Sequence, residues 1–345
     1  MSAVFDRLDF VNGHVDLAMG SGGRASALLI EQLFYPAFDN PILRQGNDQA
    51  VVLGGGGRMA LSTDCHVVSP LFFPGGDIGS LAVHGTVNDL AMGGAQPLFL
   101  TLGFVIEEGL PLADLRRIVL SIASAAHDAS VQVVGGDTKV VERGHADGLF
   151  VTSTGLGVVP EGVVLSGDAA RVGDVVLVSG SMGDHGMAVL SQRHGLAFSS
   201  PIVSDSAPLH NIASALISAC PSLRLMRDPT RGGLATTLNE LAQQSGVGMV
   251  LDEAAIPVSA SVRAACEALG IDPLYVANEG KLVAVCGPED AERALETLRA
   301  HPLGRQAAQI GEVVADPHRF VRLRSSFGGV RLLDWLFSDQ LPRIC

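Results

Sequence analysis

The chain has 345 residues, of which 47% are apolar and 17% charged, and its formal net charge is −13. That apolar content excludes a disordered chain, and an acidic balance without any basic run offers no footprint for nucleic acid or an anionic membrane. No apolar stretch reaches the roughly 18 residues of a membrane-spanning helix, and the start lacks the basic and apolar regions of a secretory signal. Cysteines at 65, 220, 266, 286 and 345 form no Cys-x-x-Cys pair. A disulfide framework or zinc ribbon is therefore not expected, and a reducing cytoplasm fits best.

Taken in chain order, Val51–Leu53 reads as a strand, the run Gly54–Gly57 as a turn, and Arg58–Thr63 as a half-buried strand ending at Asp64. Gly79–Met92 reads as a closely packed helix of small residues carrying Ala82, Gly85 and Ala91. Leu98–Ile106 is a strand, and Leu112, Leu115, Ile118, Val119, Ile122 and Ala126 form one helical stripe. Val131–Val134 reads as a short buried strand and Leu149–Val159 as another. The pattern pauses over Gly162–Gly173, then restarts with a strand at Asp174–Val178 and helices from about Gly183 and across Leu209–Ala219. Asp228-Pro229-Thr230 offers cap chemistry for a helix carrying Leu234, Leu238 and Leu241. Val247–Leu251 and Leu282–Cys286 read as strands, with helices near Val262–Leu269 and Ala291–Arg299. The alternation predicts an α/β protein in two layers. Beyond Gly328-Gly329 little periodicity remains, and the last fifteen residues would span roughly 50 Å if extended.

Only two of the 23 basic residues are lysines, Lys139 and Lys281, which marks them as positions where a compact ammonium matters. Asp48, Asp64, Asp89 and Asp137 each end an apolar element. They are either turn and helix caps or, taken together, hard oxygen ligands for a Mg²⁺ that bridges nucleotide phosphates. The glycine pairs and runs serve as turns or present N–H groups to phosphate. No P-loop and no strand-linked dinucleotide fingerprint is present, so any use of ATP lies outside the two commonest nucleotide folds. A thiol at the very end, Cys345, is a nucleophile, a group carrier, or an accident of composition. Lys139 and Glu279 read as a phosphate-contacting ammonium and a carboxylate base, or else as an ion pair at a domain seam. Asp228 and Arg231, at a predicted helix start, suit phosphate binding and capping equally. The histidines show no metal-ligand spacing.

These segments together resemble the HypE family of hydrogenase maturation factors, within the wider PurM-like group of enzymes similar to aminoimidazole ribonucleotide synthetase. The matching blocks are Pro70–Gly79, Thr86–Ala91, Gly136–Val141, Gly183–Gly186, Arg227–Gly233, Ala277–Lys281 and the closing Pro342-Arg343-Ile344-Cys345. The resemblance implies an N-terminal ATP-binding domain over 1–165, which forms a β-barrel with its twin across a homodimer. It also implies a C-terminal domain over 166–328, with a sheet covered by helices, and a mobile tail over 329–345. The implied reaction starts from a carbamoyl group placed on Cys345 by the carbamoyltransferase HypF. ATP then drives its dehydration to a thiocyanate, and the cyano group passes to iron on a HypC–HypD scaffold.

By the same resemblance Asp48, Asp64, Asp89 and Asp137 hold Mg²⁺ with ATP, and Asn88, Thr138, Asp228 and Arg231 contact the nucleotide. Lys139 and Glu279 flank the thiocarboxamide as charge stabiliser and proton acceptor. Two positions depart from the family pattern: Met19 stands where a histidine is frequent, and Cys65 where serine is usual. Competing readings are a phosphotransferase of the same group acting on a free small molecule, and a non-catalytic assembly scaffold.

Overall fold

The computed structural model describes residues 23–34, 43–47, 50–54, 57–196, 201–325, 327–336 and 343–345. Asp48 and Met19 lie outside the described residues. After a short helix α1 (Arg24–Leu29), the first sheet is built from β1 (Ala50–Gly54), β2 (Gly57–His66), β5 (Gln96–Glu107), β6 (Gln132–Val141) and β7 (Leu149–Val159). Its order is β1-β2-β7-β5-β6, and only the β5–β6 pair is parallel. A two-stranded ribbon of β3 (Phe72–Phe73) and β4 (Gly76–Asp77) leads into helix α2 (Ile78–Met92). Helix α3 (Leu112–Asp128) carries the crossover from β5 to β6. Ile118 and Ile122 on α3 meet Leu81, Val87, Leu100 and Val151 in one core, so both helices lie on the same face of this sheet.

Helix α2 is buried on nearly every side, as a helix that is apolar all round must be. Its small residues permit close approach: a Cβ on Gly79 would lie 2.6 Å from the carbonyl oxygen of Ile118. Its start is held by a capping box. Asp77 accepts from the backbone N–H of Gly79 and Ser80 at 2.8 and 3.0 Å, and the Ser80 hydroxyl accepts from Asp77 N at 3.1 Å.

The second sheet contains β8 (Val175–Val178), β9 (Leu223–Arg227), β10 (Gly248–Asp252), β11 (Val283–Cys286), β12 (Ala308–Val314), β13 (Val321–Arg324) and β14 (Val330–Leu332), in the order β14-β13-β10-β12-β8-β11-β9. Helices α4 (Asp184–His194), α5 (His210–Ala219), α6 (Gly233–Ser245), α7 (Ala260–Leu269) and α8 (Ala291–Ala300) accompany it. Every residue of β8 is buried. Val176 and Val178 enter a core with Leu234 and Leu238 of α6, and Val175 and Leu177 enter another with Ile212 of α5 and Leu298 of α8. Helices therefore cover both faces of this sheet. Ala91 and Met92, at the end of α2, join that second core, so one buried helix belongs to both halves of the molecule. Among the described residues no helix is long and apolar enough to cross a membrane.

Three local expectations differ from what is found. The strand expected at 131–134 runs over Gln132–Val141 and is exposed along nearly its whole length, because it is an edge strand with a neighbour on one side only. Asp228 caps no helix: α6 starts at Gly233, after Gly232 at φ 76°, with no side-chain cap. The segment after Gly329 is not featureless, since Val330–Leu332 pairs with β13, and Leu333 and Leu336 are buried.

Removing the α2 cap tests how far the fold leans on this helix. Asp77→Ala is expected to cost about 1 kcal/mol, with 2 as the upper end for a buried cap, read as a lower midpoint in urea unfolding.

Candidate active site at the domain seam

Strand and helix periodicities bring the first group of side chains together. Ser62, Asp64 and His66 alternate along β2 and so point to one face, while Thr86 and Asp89 lie three apart on the α2 turn packed against it. The Ser62 hydroxyl donates to Asp89 Oδ2, and Thr86 Oγ1 donates to Asp64 Oδ2 at 3.3 Å. Thr86 also shares a hydrogen bond with Ser153 Oγ on β7, which in turn meets His66 Nε2 at 3.2 Å. Burial pushes the His66 imidazole down to about 4, with Asp64 opposing, so this ring is neutral near pH 7. Gly85 makes the approach possible, since a Cβ there would lie 3.0 Å from the His66 ring and 3.3 Å from Asp64.

The second group comes from loops of the C-terminal half. Asn278, fully buried, binds three segments at once. Its Oδ1 accepts from Gly183 N at 2.7 Å, and its Nδ2 donates to the Pro229 and Val276 carbonyls at 2.9 and 3.1 Å. These bonds fix the neighbouring Glu279 beside the Asp228–Arg231 loop. The Glu279 backbone N–H donates to Asp205 Oδ1 at 3.1 Å, and Lys281 Nζ pairs with Asp205 Oδ2 at 3.0 Å. Gly280 lets this happen, because a Cβ would overlap the Asp205 carbonyl.

Glu279 is 3% exposed, and its Oε1 has no hydrogen-bond partner. Burial pushes its carboxyl well above the ordinary range. Asp228, Asp205 and Asp64 push the same way, and Arg231 opposes them. Arg231 is stabilised in its charged form first by Cys345 and then, against the cost of burial, by Asp64, Glu279 and Asp89. One guanidinium thus faces the terminal cysteine and three carboxyl groups contributed by both halves of the chain.

Of the residues expected at the site, Asp64, Asp89, Asp228, Arg231, Glu279 and Cys345 come together here. Asn88 lies at the same seam but spends its amide on the protein itself. Nδ2 donates to the Ala207 and Glu279 carbonyls, both at 3.1 Å, and Oδ1 accepts from Leu209 N at 2.7 Å. It is a clasp between α2 and the second half.

Asp137, Thr138 and Lys139 stand apart on β6. Register places Asp137 in one row with Gly103, Thr152 and Cys65, whereas Asp64 shares its row with Ser153 and Leu102 on the opposite face. Three interstrand spacings, about 14 Å, separate β6 from β2. Lys139 pairs with Asp137 at 3.2 Å, both more than 70% exposed, and Thr138 N donates to Asp137 Oδ1 at 2.9 Å. Asp205, Asn278 and His185 were not among the expected residues. Their contacts join segments far apart in the chain, and nothing in local periodicity marks them.

The two helix-flanked sheets joined at a carboxylate-lined seam define a protein related to AIR synthase. Residues 46–159 match the family model of the AIR synthase related protein N-terminal domain, and residues 171–324 match that of its C-terminal domain. A carbamoyl dehydratase HypE from Cupriavidus necator is 60% identical over 339 residues, which cover 98% of this chain and 97% of that protein. A crystal structure of a HypE–HypF complex matches with a TM-score of 0.85 and 49% identity over 89% of this chain and 99% of that one. A HypE solved in complex with ATP matches with a TM-score of 0.82 and 51% identity over 96% of this chain and all of that one. The chain belongs to the HypE family of carbamoyl dehydratases.

The strained charge of Glu279 has a measurable signature. Its folded-state proton is held to a higher pH than in the unfolded chain, where the carboxyl titrates near 4.5. Stability therefore falls as pH rises from that value toward the raised one. Glu279→Gln removes this loss, so its stability relative to the parent is expected to grow across that window in a pH series of urea melts. A difference that stays flat with pH would show the carboxyl to be solvated.

Proposed function

We propose that this chain is an ATP-dependent carbamoyl dehydratase of hydrogenase maturation that works on its own C-terminal Cys345. The observation that carries the reading is the position of Cys345, whose carbonyl accepts from Val67 N just beyond β2 at 3.1 Å and which packs against the core holding Ala277, two residues before Glu279. The two halves, read as 1–165 and 166–328, divide the work between β2–α2 carboxylates and the loops that bear Arg231 and Glu279.

The overall conversion takes an S-carbamoyl group, S–C(=O)–NH₂, to a thiocyanate, S–C≡N, with loss of the oxygen and both N–H protons. ATP supplies the phosphoryl group that makes the carbamoyl oxygen a leaving group. The oxygen leaves as phosphate, with ADP as the other product. Glu279 accepts the two N–H protons one at a time, handing the first to solvent before taking the second. Its raised affinity for protons matches a base to that task better than an exposed glutamate would. Its unpartnered Oε1 is the free acceptor. Arg231 faces the oxyanion side, where a fixed cation stabilises negative charge as it develops.

Asp64 and Asp89 fit a Mg²⁺ ion, which takes one or two carboxylates, keeps several waters and binds phosphate oxygens for the rest. Among the described residues no group of three or more metal-binding side chains stands together. Asp64 and Asp89 are the two carboxylates we assign to the ion from the described residues, with nucleotide oxygens and water as the other donors. Asp228 completes the acidic wall behind Glu279.

The uncovered face of the first sheet supports a homodimer. Leu61, Phe99 and Val105 are more than a third exposed on it, beside Thr63, Thr101 and Cys65. Because Asp137 and Lys139 share that face, they reach a carboxylate site only across such an interface, as β6 of one protomer meets the other. HypF is the carbamoyl donor in this reading, and a HypC–HypD scaffold receives the cyano group. We read the chain's compartment as a reducing cytoplasm from the absence of any Cys-x-x-Cys pair in the sequence.

The test is intact-mass analysis after incubation with carbamoyl-charged HypF and ATP. The parent chain is expected to gain the carbamoyl mass and then lose the mass of one water, whereas Cys345→Ala gains nothing yet still binds nucleotide. A carbamoyl mass that persists with ATP present would sink the reading. Asp89→Asn is expected to lower the rate at least about a hundredfold, on the scale of losing an electrostatic stabiliser, with the loss partly offset by raised Mg²⁺.

A further inference from the structure

The last three residues are docked, and the docking is built from groups that the reaction above does not use. Val67 N donates to the Cys345 carbonyl and Ser69 N to the Arg343 carbonyl, each at 3.1 Å, so the end of the chain runs antiparallel alongside the segment that leaves β2. Arg193, at the end of α4, donates from Nε to the Ser69 carbonyl at 2.8 Å and from Nη2 to the Arg343 carbonyl. It clamps both sides of that pairing. The Arg343 side chain forms an ion pair with Asp147, and Ile344 is buried in the core that holds Phe73, Leu81 and Val189. Arg343 itself takes φ 59°, a left-handed conformation that a non-glycine residue keeps only when contacts on both sides hold it.

His185 makes the remaining contact. Its Nε2 lies 2.9 Å from the Ile344 carbonyl and its Nδ1 lies 2.8 Å from Ser204 Oγ, with the ring edge-on to Phe73. A carbonyl only accepts, so Nε2 carries the hydrogen. Burial depresses the imidazole's proton affinity, which leaves Nδ1 free to accept from Ser204. The Ile344 carbonyl belongs to the peptide bond immediately before Cys345. Whatever holds that carbonyl sets where the terminal thiol falls. A slip of one residue along an extended pairing moves a side chain by about 3.3 Å and turns it to the other face.

We propose that His185 and Arg193 are positioning residues that fix the register of the C-terminal tail, so that residue 345, and not its neighbour, presents its side chain at the seam. The proposal rests on the reading of Cys345 as carrier of the reacting group, but the docking is measured without any turnover. Arg343 and Ile344 are the side chains this groove reads, one by charge at Asp147 and the other by an apolar pocket.

The experiment uses the full-length chain and follows iodoacetamide alkylation of Cys345 by mass spectrometry of the C-terminal peptide. His185→Leu removes one buried donor and is expected to raise the alkylation rate about three- to tenfold, the equivalent of a net hydrogen bond. His185→Gln keeps an amide donor near the carbonyl and is expected to restore most of the protection. Arg193→Gln, at a half-exposed position outside the core, is expected to raise the rate about two- to fivefold. On carbamoylated protein, His185→Leu is expected to lower kcat for cyanation and leave the KM for ATP unchanged, a split that a general loosening of the seam would not give.

Alkylation rates equal to the parent's in both His185→Leu and Arg193→Gln would overturn the proposal, as would His185→Gln behaving like His185→Leu with an unchanged melting temperature. If His185→Leu fails to fold, Arg193→Gln decides alone. Should alkylation respond as expected while no variant or parent forms thiocyanate, the latch stands and the carrier reading falls.

Discussion

The arrangement of the seam follows from one electrostatic problem: Glu279 is buried, lacks a partner on Oε1, and faces Asp64, Asp205 and Asp228. Isolated burial of such a charge is prohibitive unless cations or protons compensate it. The chain brings in Arg231 from one side and spends Lys281 on Asp205 from the other. The Lys281–Asp205 pair is itself nearly sealed from solvent, so it withdraws one carboxylate from the problem and leaves Glu279 as the group whose proton is adjustable. The raised proton affinity of Glu279 comes from its surroundings, not from any feature of the glutamate itself.

Rigid placement of that group is bought with glycine and asparagine. Gly280 and Gly85 stand where any side chain would strike Asp205 or the His66–Asp64 pair. Asn88 and Asn278 each use all the hydrogen-bonding groups of their amides on backbone partners drawn from different loops. An Asn amide holds loops together at a point where no regular ladder passes, and both sit at Glu279 or beside it. The seam is therefore organised by residues that never need to touch a substrate.

Residues with a local cause were legible in the sequence, and those with a distant cause were not. Period-two alternation along β2 and the small-residue character of α2 mark the two elements that carry Asp64 and Asp89, although neither aspartate ends its element: β2 runs on to His66 and α2 to Met92. The scarcity of lysine singles out Lys281, whose ammonium proves to be buried against Asp205. For Lys139 burial gives no such reason, since it is exposed on β6. The apolar run Val131–Val134 reads as a short buried strand, yet only Val131, just before β6, enters the core, while Val133 and Val134 are exposed on an edge strand with a neighbour on one side. Strands β12, β13 and β14 lack a strong alternation and are defined by their partners in the sheet. His185 and the Ile344 carbonyl lie 159 residues apart, beyond the reach of any periodicity.

The tail illustrates how binding strength is divided when a segment must both dock and leave. Its anchoring groups are individually modest: an ion pair between two half-exposed side chains, a few backbone hydrogen bonds, one imidazole donor and one buried isoleucine. An exposed ion pair contributes about 0–1 kcal/mol, and a hydrogen bond nets about 1. A single deep pocket of equal total strength would hold the thiol just as firmly, but it would specify its position less well. Several weak contacts spread over three consecutive residues penalise every wrong register, because a slip breaks all of them together. Release, by contrast, can begin at Arg343 on the surface and proceed one contact at a time, with the buried Ile344 last. A substrate carried on the chain's own end needs that asymmetry, firm in register and graded in departure.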